Sequence, residues 1–577
     1  MTKISTYLKR NTNFYIIVLI SLLINVVLDM VSPQITRMLI DDVIIAKRME
    51  LLTKLLGFYI LIGVIHFVFD YTKEFSGDYA GSKIACLIRK ELFHFIQKLS
   101  ANFFDKTNAG ELMSRVKDDV DRVWDSMTYI TMLLVQVTVH TAIILYCMFS
   151  MSWQLAIVPA VGMFLAGTIA VFMEKKLGKV YGDIEQENSI LNNVASENLA
   201  GVRTVKSFAR EKFEIKKFLS HNTKYYELNV QQSRVFVKYY PLLQVITVSL
   251  PCIVLIQGGF LVMNDKFTIG ELSAFIQYSM NITWPMEMLG WLMNGLSSGI
   301  AAWKRIKKIY AEVPEIKEDS SPTVLSSVKG DVEFDHVNFT RNSTDILKDI
   351  SFHIKPGCTL GIMGETGSGK SSIGNLLSRM YDVTGGEIKI DGVDIRKLKT
   401  SQLRQNVAPI TQEVFLFSNT ITENLLFGKK ELLSKVDIQK AASQADATEF
   451  IDTLPEQYET VIGERGVGLS GGQKQRLTIA RAIAKKTPVI VFDDSTSALD
   501  METEQKLQST IEEMNGVTKI IIAHRISAVR NADEIIVLKE GQIAERGTHE
   551  QLLEKKGLYY ETYESQYGSY ELLKKNA

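Results

Sequence analysis

Only four cysteines occur in 577 residues, and Cys86, Cys147, Cys252 and Cys358 lie far apart with no CxxC spacing. That excludes a disulfide frame and a zinc site of ordinary spacing, and leaves reduced core or membrane residues. Net charge is also absent, because 65 Lys and Arg offset 65 Asp and Glu. There is then no global electrostatic argument for nucleic acid, and none is expected as a partner. No short-period repeat or low-complexity tract is visible. The length is too great for one core, so two or more domains are expected.

A local absence says more. Ser126–Met173 contains no Asp, Glu, Lys or Arg in 48 residues. As helix that run extends ~72 Å, enough for two crossings of a ~30 Å hydrocarbon core with a tight turn at Ser150–Trp153. Tyr239–Asn264 is a second uncharged run, of 26 residues. Weaker apolar segments at Phe14–Leu28, Leu55–Phe69 and Leu272–Trp303, the last interrupted by Glu287, bring the expected count to six spans. Leu28–Pro33 offers no small-residue cleavage site, so the first span reads as retained and not as a secretory leader. The 81–125 connection carries eight Lys and Arg and the 174–238 connection twelve, whereas those near 150 and 265 carry almost none. The positive-inside rule then places both termini in the cytoplasm of a multi-pass plasma-membrane protein, with the long basic connections as helices that continue out of the bilayer. His66 and His140 read as helix-contact residues, and Asp29 and Asp70 as residues near the membrane interfaces.

Composition shifts at about Ala311. Residues 1–310 form the expected transmembrane domain, 311–330 a linker with two prolines and two Ser-Ser pairs, and 331–577 a second domain. Strand-like Val332–Phe339, Thr359–Met363, Val489–Phe492 and Lys519–Ala523 are interleaved with helical patterns such as Lys370–Tyr381. That alternation predicts an α/β domain with a largely parallel sheet. Between the second strand and its helix lies GETGSGKSS, Gly364–Ser372. This is a phosphate cradle: Gly364, Gly367 and Gly369 let backbone N–H groups close around nucleotide phosphates. Lys370 adds a point charge, and the Ser371 hydroxyl, with Ser372 beside it, can hold Mg²⁺. VIVFDD, Val489–Asp494, is an apolar strand ending in two carboxylates, where a metal and an attacking water would sit.

LSGGQKQR, Leu469–Arg476, completes a pattern that resembles the half-size ATP-binding-cassette exporters over essentially the whole chain. TQE with Gln412, IGERG with Glu464, SALD with Asp500 and IIAHR with His524 add to it, as do the exporter-like cytoplasmic segments Phe103–Arg115 and Glu197–Glu211. The resemblance implies a six-helix membrane domain fused to an α/β P-loop ATPase, with ATP and Mg²⁺ as cofactors. It also implies two ATPs sandwiched between two cassettes. Ser470, Gly471, Gly472 and Gln473 would face the cradle of a second chain, as the free N–H groups of a helix N-terminus suit a γ-phosphate. By matching position Asp493 and Gln412 would serve the metal, Gln412 and His524 the γ-phosphate, and Asp500 the dimer interface. Contacts with the cassette are expected in Thr107–Leu112 and around Val202–Lys206. The expected function is ATP-driven export of a drug, lipid, peptide or other hydrophobic or amphipathic molecule by alternating access. The alternatives are an importer on the same fold and a ligand-sensing membrane ATPase.

Two positions depart from the family pattern. Asp494 stands where a self-sufficient member has the Glu that polarises the attacking water. Asp is one methylene shorter and falls short by about 1 Å, an error that can cost on the order of a hundredfold. The expectation is a cradle that binds ATP and hydrolyses it slowly, in a bacterial heterodimer whose competent site borrows this chain's LSGGQ; a homodimer with a tolerated substitution is the alternative. Arg341 in VNFTRNS stands where the family stacks an aromatic ring on adenine, and a guanidinium plane can stack in its place. In the membrane half, Glu287 in ITWPMEMLGW, with Trp284 and Trp291, is the candidate cargo path, because charge inside a span is costly and tends to face protein or water.

Overall fold

The computed structural model describes residues 6, 7, 9, 11–428, 433–463, 466–495 and 499–575, with backbone alone for Glu287, Leu289 and residues 568–575. Contacts divide the chain into two units, residues 1–99 with 107–313 and residues 100–106 with 314–577.

Among the described residues the first unit is helical throughout. Five helices are long and apolar enough to cross a membrane: α1 (Thr12–Ile45), α2 (Glu50–Ile96), α3 (Ala109–Met151), α4 (Trp153–Ala200) and α5 (Glu211–Met263). The last four run 43 to 53 residues, about twice what a bilayer needs, so their charged ends extend beyond the apolar spans. The charge-free stretch is cut at Ser152, whose extended backbone (φ −159°) separates α3 from α4. Phe164 and Tyr146 are each 74% exposed and Phe67 70%, the outward-facing apolar surface that lipid permits and water does not. The segment read as one span over Leu272–Trp303 is two helices, α6 (Ile269–Asn281) and α7 (Thr283–Ala311), interrupted at Ile282. Pro285 suits a helix start here: it lacks an N–H and stands in the first turn of α7, where no intrahelical donor is required. Asp29, expected near a membrane interface, has partners on two other helices. It lies midway along α1, between His66 of α2 and His140 of α3.

The second unit holds two sheets. The larger has the order β10-β9-β3-β8-β7-β6, formed by β3 (Thr359–Gly364), β6 (Val407–Ile410), β7 (Val489–Asp493), β8 (Thr518–Ile522), β9 (Glu534–Lys539) and β10 (Gln542–Gly547). All its pairs are parallel except β10 with β9. β7 is buried along Val489–Phe492, as a central strand covered on both faces must be. The smaller sheet, antiparallel β2-β1-β4-β5, joins β1 (Val332–Arg341) to β2 (Thr344–Ile354), β4 (Gly385–Ile390) and β5 (Val393–Asp394). The alternating burial of β1 fits a sheet with one wet face. A core of Phe334, Ile362, Leu376, Val491 and Ile520 fills the space between the sheets, with Phe334 stacked on Phe352 at 4.4 Å. A second core, including Ile421, Leu425, Ala442 and Leu477, belongs to a helical part between β6 and β7. The helix after β3, α8, spans Lys370–Leu377 and stops four residues before the expected Tyr381. Arg379 turns left-handed there (φ +49°), and its guanidinium is held by Asp382 at 2.9 Å.

Candidate functional site

Because β3, β6, β7 and β8 run parallel, their carboxyl ends share one edge, the usual place for a ligand in such sheets. The cradle leaves β3 at that edge. A Cβ on Gly364 (φ +146°) would meet the Leu538 carbonyl oxygen at 2.3 Å, and one on Gly369 (φ +98°) would meet Leu347 Cδ2 at 2.6 Å. Only glycine fits either place. Gly367 lies between them, and Ser372 in the first turn of α8. Lys370 is buried, and its Nζ donates to the carbonyl oxygens of Gly364 at 2.7 Å and Glu365 at 2.8 Å. Burial lowers the pKa of this ammonium, against the pull of Asp493 and Asp494. Ser368 Oγ is buried with no hydrogen-bond partner among the described residues. A loop curled round a cation with an orphaned hydroxyl fits a phosphate-bearing ligand.

Ser371 Oγ donates to Asp493 Oδ1 at 3.0 Å. Burial raises the Asp493 pKa, and this hydrogen bond partly offsets the rise. Two adjacent hard oxygens are the donor set that suits Mg²⁺. Asp494 follows in a left-handed conformation (φ +45°). Its N–H donates to Ile522 O at 2.8 Å, and its carbonyl accepts from Gln475 Nε2 at 3.4 Å. Its backbone is therefore held from both sides. Gln412 is exposed two residues beyond β6, and His524 is exposed two residues beyond β8.

Ser470 is the N-cap of α9 (Gly471–Ala484). Its hydroxyl accepts from Gln473 N–H at 3.3 Å while Gln473 Oε1 accepts from Ser470 N–H at 2.8 Å. The capping box serves the helix's own N–H of Gln473 and leaves the exposed end with Gly471 and Gly472 in the first turn. Asp500 caps α10 (Met501–Glu513), and its bonds from Thr503 hold its carboxyl below the usual range. Glu464 lies outside the described residues.

Arg341 is engaged by protein. Its guanidinium lies 4.9 Å over the Tyr381 ring and pairs with Asp105, which also accepts from Tyr381 Oη at 2.8 Å. Burial, then the Asp105 carboxylate, pushes the Tyr381 phenol up to about 12. One guanidinium face is thus covered before any base arrives. Asp105 belongs to residues 100–106, which group with the cassette just ahead of the segment expected to touch it. In the membrane unit Trp284 stands edge-on to His140 at 6.3 Å and Trp291 edge-on to Tyr129 at 5.9 Å. The Glu287 side chain lies outside the described residues.

Sequence reasoning missed Gln566, on the C-terminal helix α11 (Leu558–Lys575). Its Nε2 donates to His524 O at 2.8 Å and its Oε1 accepts from Ile526 N–H at 3.0 Å, bracketing the loop that carries His524. No local pattern announces such a residue.

The family described as "ABC transporter transmembrane region" matches residues 15–286 and that described as "ABC transporter" matches residues 347–497. Among curated relatives, the multidrug resistance-like ATP-binding protein MdlA of Buchnera aphidicola is 33% identical, covering 97% of each chain. The ATP-dependent lipid A-core flippase of Syntrophus aciditrophicus is 31% identical over 92% of this chain and 88% of the relative. A bacterial Atm1-family ABC exporter solved with ATP bound superposes with a TM-score of 0.81 at 26% identity, over 97% of this chain and 98% of that one.

Proposed function

This chain belongs to the ABC transporter family, and from that premise we propose that it is one half of a heterodimeric exporter whose own ATP site is the slow one. It is a membrane-embedded transport ATPase that couples ATP to export. The observation that carries the asymmetry is Asp494. With its N–H bonded to Ile522 and its carbonyl to Gln475, a backbone shift that restored the reach of the missing methylene would strain or break these bonds. The exposed N-terminus of α9 then serves the partner's cradle in trans, through the N–H groups of Gly471 and Gly472.

Further assignments belong to the same reading. Ile269–Ala311, broken at Ile282, is the sixth crossing, so both termini and the cassette are cytoplasmic. Lys370 and the N–H groups of Gly364–Ser372 hold the phosphates. Ser371 and Asp493, with Gln412, would hold Mg²⁺, which when bound neutralises charge on the phosphates. His524 braces the γ-phosphate, Asp500 meets the partner cassette, and Arg341 offers adenine its uncovered face. Trp284, Trp291 and Glu287 line the path of a hydrophobic or amphipathic cargo. Glu287→Ala should alter cargo-stimulated ATPase and leave the basal rate intact.

Steady-state ATPase of the purified chain, alone and with the partner half, tests the asymmetry. Asp494→Asn should lower the pair's turnover by less than about twofold, since little flux passes that site. Ser470→Arg should lower it by on the order of a hundredfold, the loss expected when one γ-phosphate contact of the active site is blocked. A lone chain with normal turnover that Asp494→Asn abolishes would sink the heterodimer.

A further inference from the structure

Three titratable side chains from three helices meet inside the membrane unit. His66 Nε2 of α2 lies 3.2 Å from Asp29 Oδ1 of α1, and His140 Nδ1 of α3 lies 3.8 Å from Asp29 Oδ2. Asp29 is 17 residues from one end of α1 and 16 from the other, and His66 and His140 are about 16–24 Å in from the hairpin ends of α2 and α3 at 1.5 Å per residue. That depth lies within a hydrocarbon core about 30 Å thick.

The cluster is chemically incomplete. His140 is 8% exposed, and its Nδ1 is buried without a hydrogen-bond partner among the described residues. At 3.8 Å it is just beyond hydrogen-bond reach of the carboxylate. Among the described residues, the ion-pair partners of Asp29 are the two histidines alone. The nearby cation is committed elsewhere: Lys73 Nζ pairs with Asp70 at 2.7 Å and Glu74 at 3.2 Å, and also reaches Gln136 of α3 at 3.5 Å. Asp70 further accepts from Asn25 of α1 at 3.3 Å. From α6, Tyr278 donates to the Met30 carbonyl at 2.7 Å and brings no charge. From α7, Trp284 presents its ring to His140. With both imidazoles neutral the trio carries one uncompensated negative charge at membrane depth. One proton on an imidazole neutralises it.

We propose that Asp29, His66 and His140 form a proton-binding site that takes up one proton from water, onto an imidazole nitrogen, in one arrangement of α1, α2 and α3 and releases it in another. The three groups come from three separate spans, so any transport motion that parts them separates the carboxylate from the imidazolium and changes the proton affinity. By linkage, pH then biases the equilibrium between the arrangements. This inference rests on reading α1–α3 as spans and not on the slow-site assignment.

Trp284 supplies the reporter, because a protonated imidazole beside an indole quenches its fluorescence. The full chain, with its partner half where one is required, is placed in lipid nanodiscs, and the Trp284 signal is isolated as the difference from Trp284→Phe. The signal should fall on acidification within the range where histidine titrates, roughly pH 8 to 5. His140→Gln should abolish the fall. Asp29→Asn should move its midpoint by about one pH unit or more, the effect of a carboxylate within ~4–6 Å. His66→Gln, which preserves side-chain hydrogen bonding, is the second variant and should also move it, with nucleotide labelling of the cassette as the check on folding. A midpoint unmoved in Asp29→Asn, or no Trp284 titration in the wild type, overturns the proton site alone. A chain that stays soluble without lipid overturns the spanning reading and the proton site together.

Discussion

The cassette and the membrane unit place polar groups by opposite means. In the cassette they gather at one edge of a parallel sheet, where each strand end hands a short loop to the same place. Ser371 and Asp493 meet there at 3.0 Å, and the desolvation of Asp493 is partly offset by that hydroxyl and by Lys370. In the membrane unit no such edge exists, because a helix satisfies its own backbone and offers side chains only one at a time. Its polar groups meet across helices, as Asp29, His66 and His140 do, and each must be matched or it is costly. Strand ends therefore build a site from a few short motifs, whereas packed helices build one from single residues that no motif surrounds.

If the two arrangements are separate, damage to one should leave the other legible. The largest effect is expected from Lys370→Ala, which removes the buried ammonium bonded to Gly364 and Glu365. With the partner's cradle silenced, photolabelling of this chain by a nucleotide analogue should fall about ten- to a hundredfold, the scale of losing charge-assisted hydrogen bonds. The acid titration of Trp284 in the same variant should be unchanged. Unchanged labelling would count against the cradle, and a lost titration would mean that the units are not separable in this sense.

A smaller effect is expected at Gln566, which hydrogen-bonds to the loop around His524. Gln566→Ala should slow single-turnover hydrolysis at this chain's own cradle by about three- to tenfold, the worth of one or two neutral hydrogen bonds. Nucleotide affinity should hold, because His524 and not the phosphate cradle loses support. Gln566→Glu keeps the acceptor for Ile526 N–H but not the donor to His524 O, and should fall between. A drop in affinity with unchanged hydrolysis would show that Gln566 is a general brace and not a positioning residue.

The same contrast explains what could be read from the chain. Ser371 and Asp493 are 122 residues apart, yet each was legible because each sits in its own short motif. The strand Val332–Phe339 was legible by alternation, but its membership in a second, antiparallel sheet was not, since register depends on partners far along the chain. Arg341 was noticed only as a departure. Its pairing with Asp105, 236 residues away, follows no local pattern. The partners of Asp29 were not legible, because an isolated carboxylate in an apolar run gives no sign of two histidines on other helices. The helix start after Ile282 had a local sign in Pro285 that the count of apolar residues overlooked.

The smallest predicted effect concerns what a nucleotide site costs an empty cassette. Burial raises the pKa of Asp493, and the Ser371 hydroxyl, Lys370 and His524 offset this only in part. A carboxyl with a raised folded-state pKa binds its proton more tightly folded than unfolded. Its favourable contribution is complete below the unfolded pKa, near 3.9, and is lost as pH rises through the folded value. At pH 7 the ionised group therefore lowers the stability of the empty cassette. Asp493→Asn removes the charge and keeps an oxygen for the Ser371 hydroxyl, so it should raise the cassette's calorimetric midpoint at pH 7 by about 1–2 °C, a modest figure because the group is only half-buried and solvent screens it. The gain should shrink as pH is lowered toward 4. With saturating nucleotide and Mg²⁺ the order should reverse if, as proposed above, the carboxylate that strains the empty site is the one that holds the metal. An equal gain at both pH values would trace the effect to packing, and a loss at pH 7 without nucleotide would refute the view that Asp493 is held ionised against its surroundings.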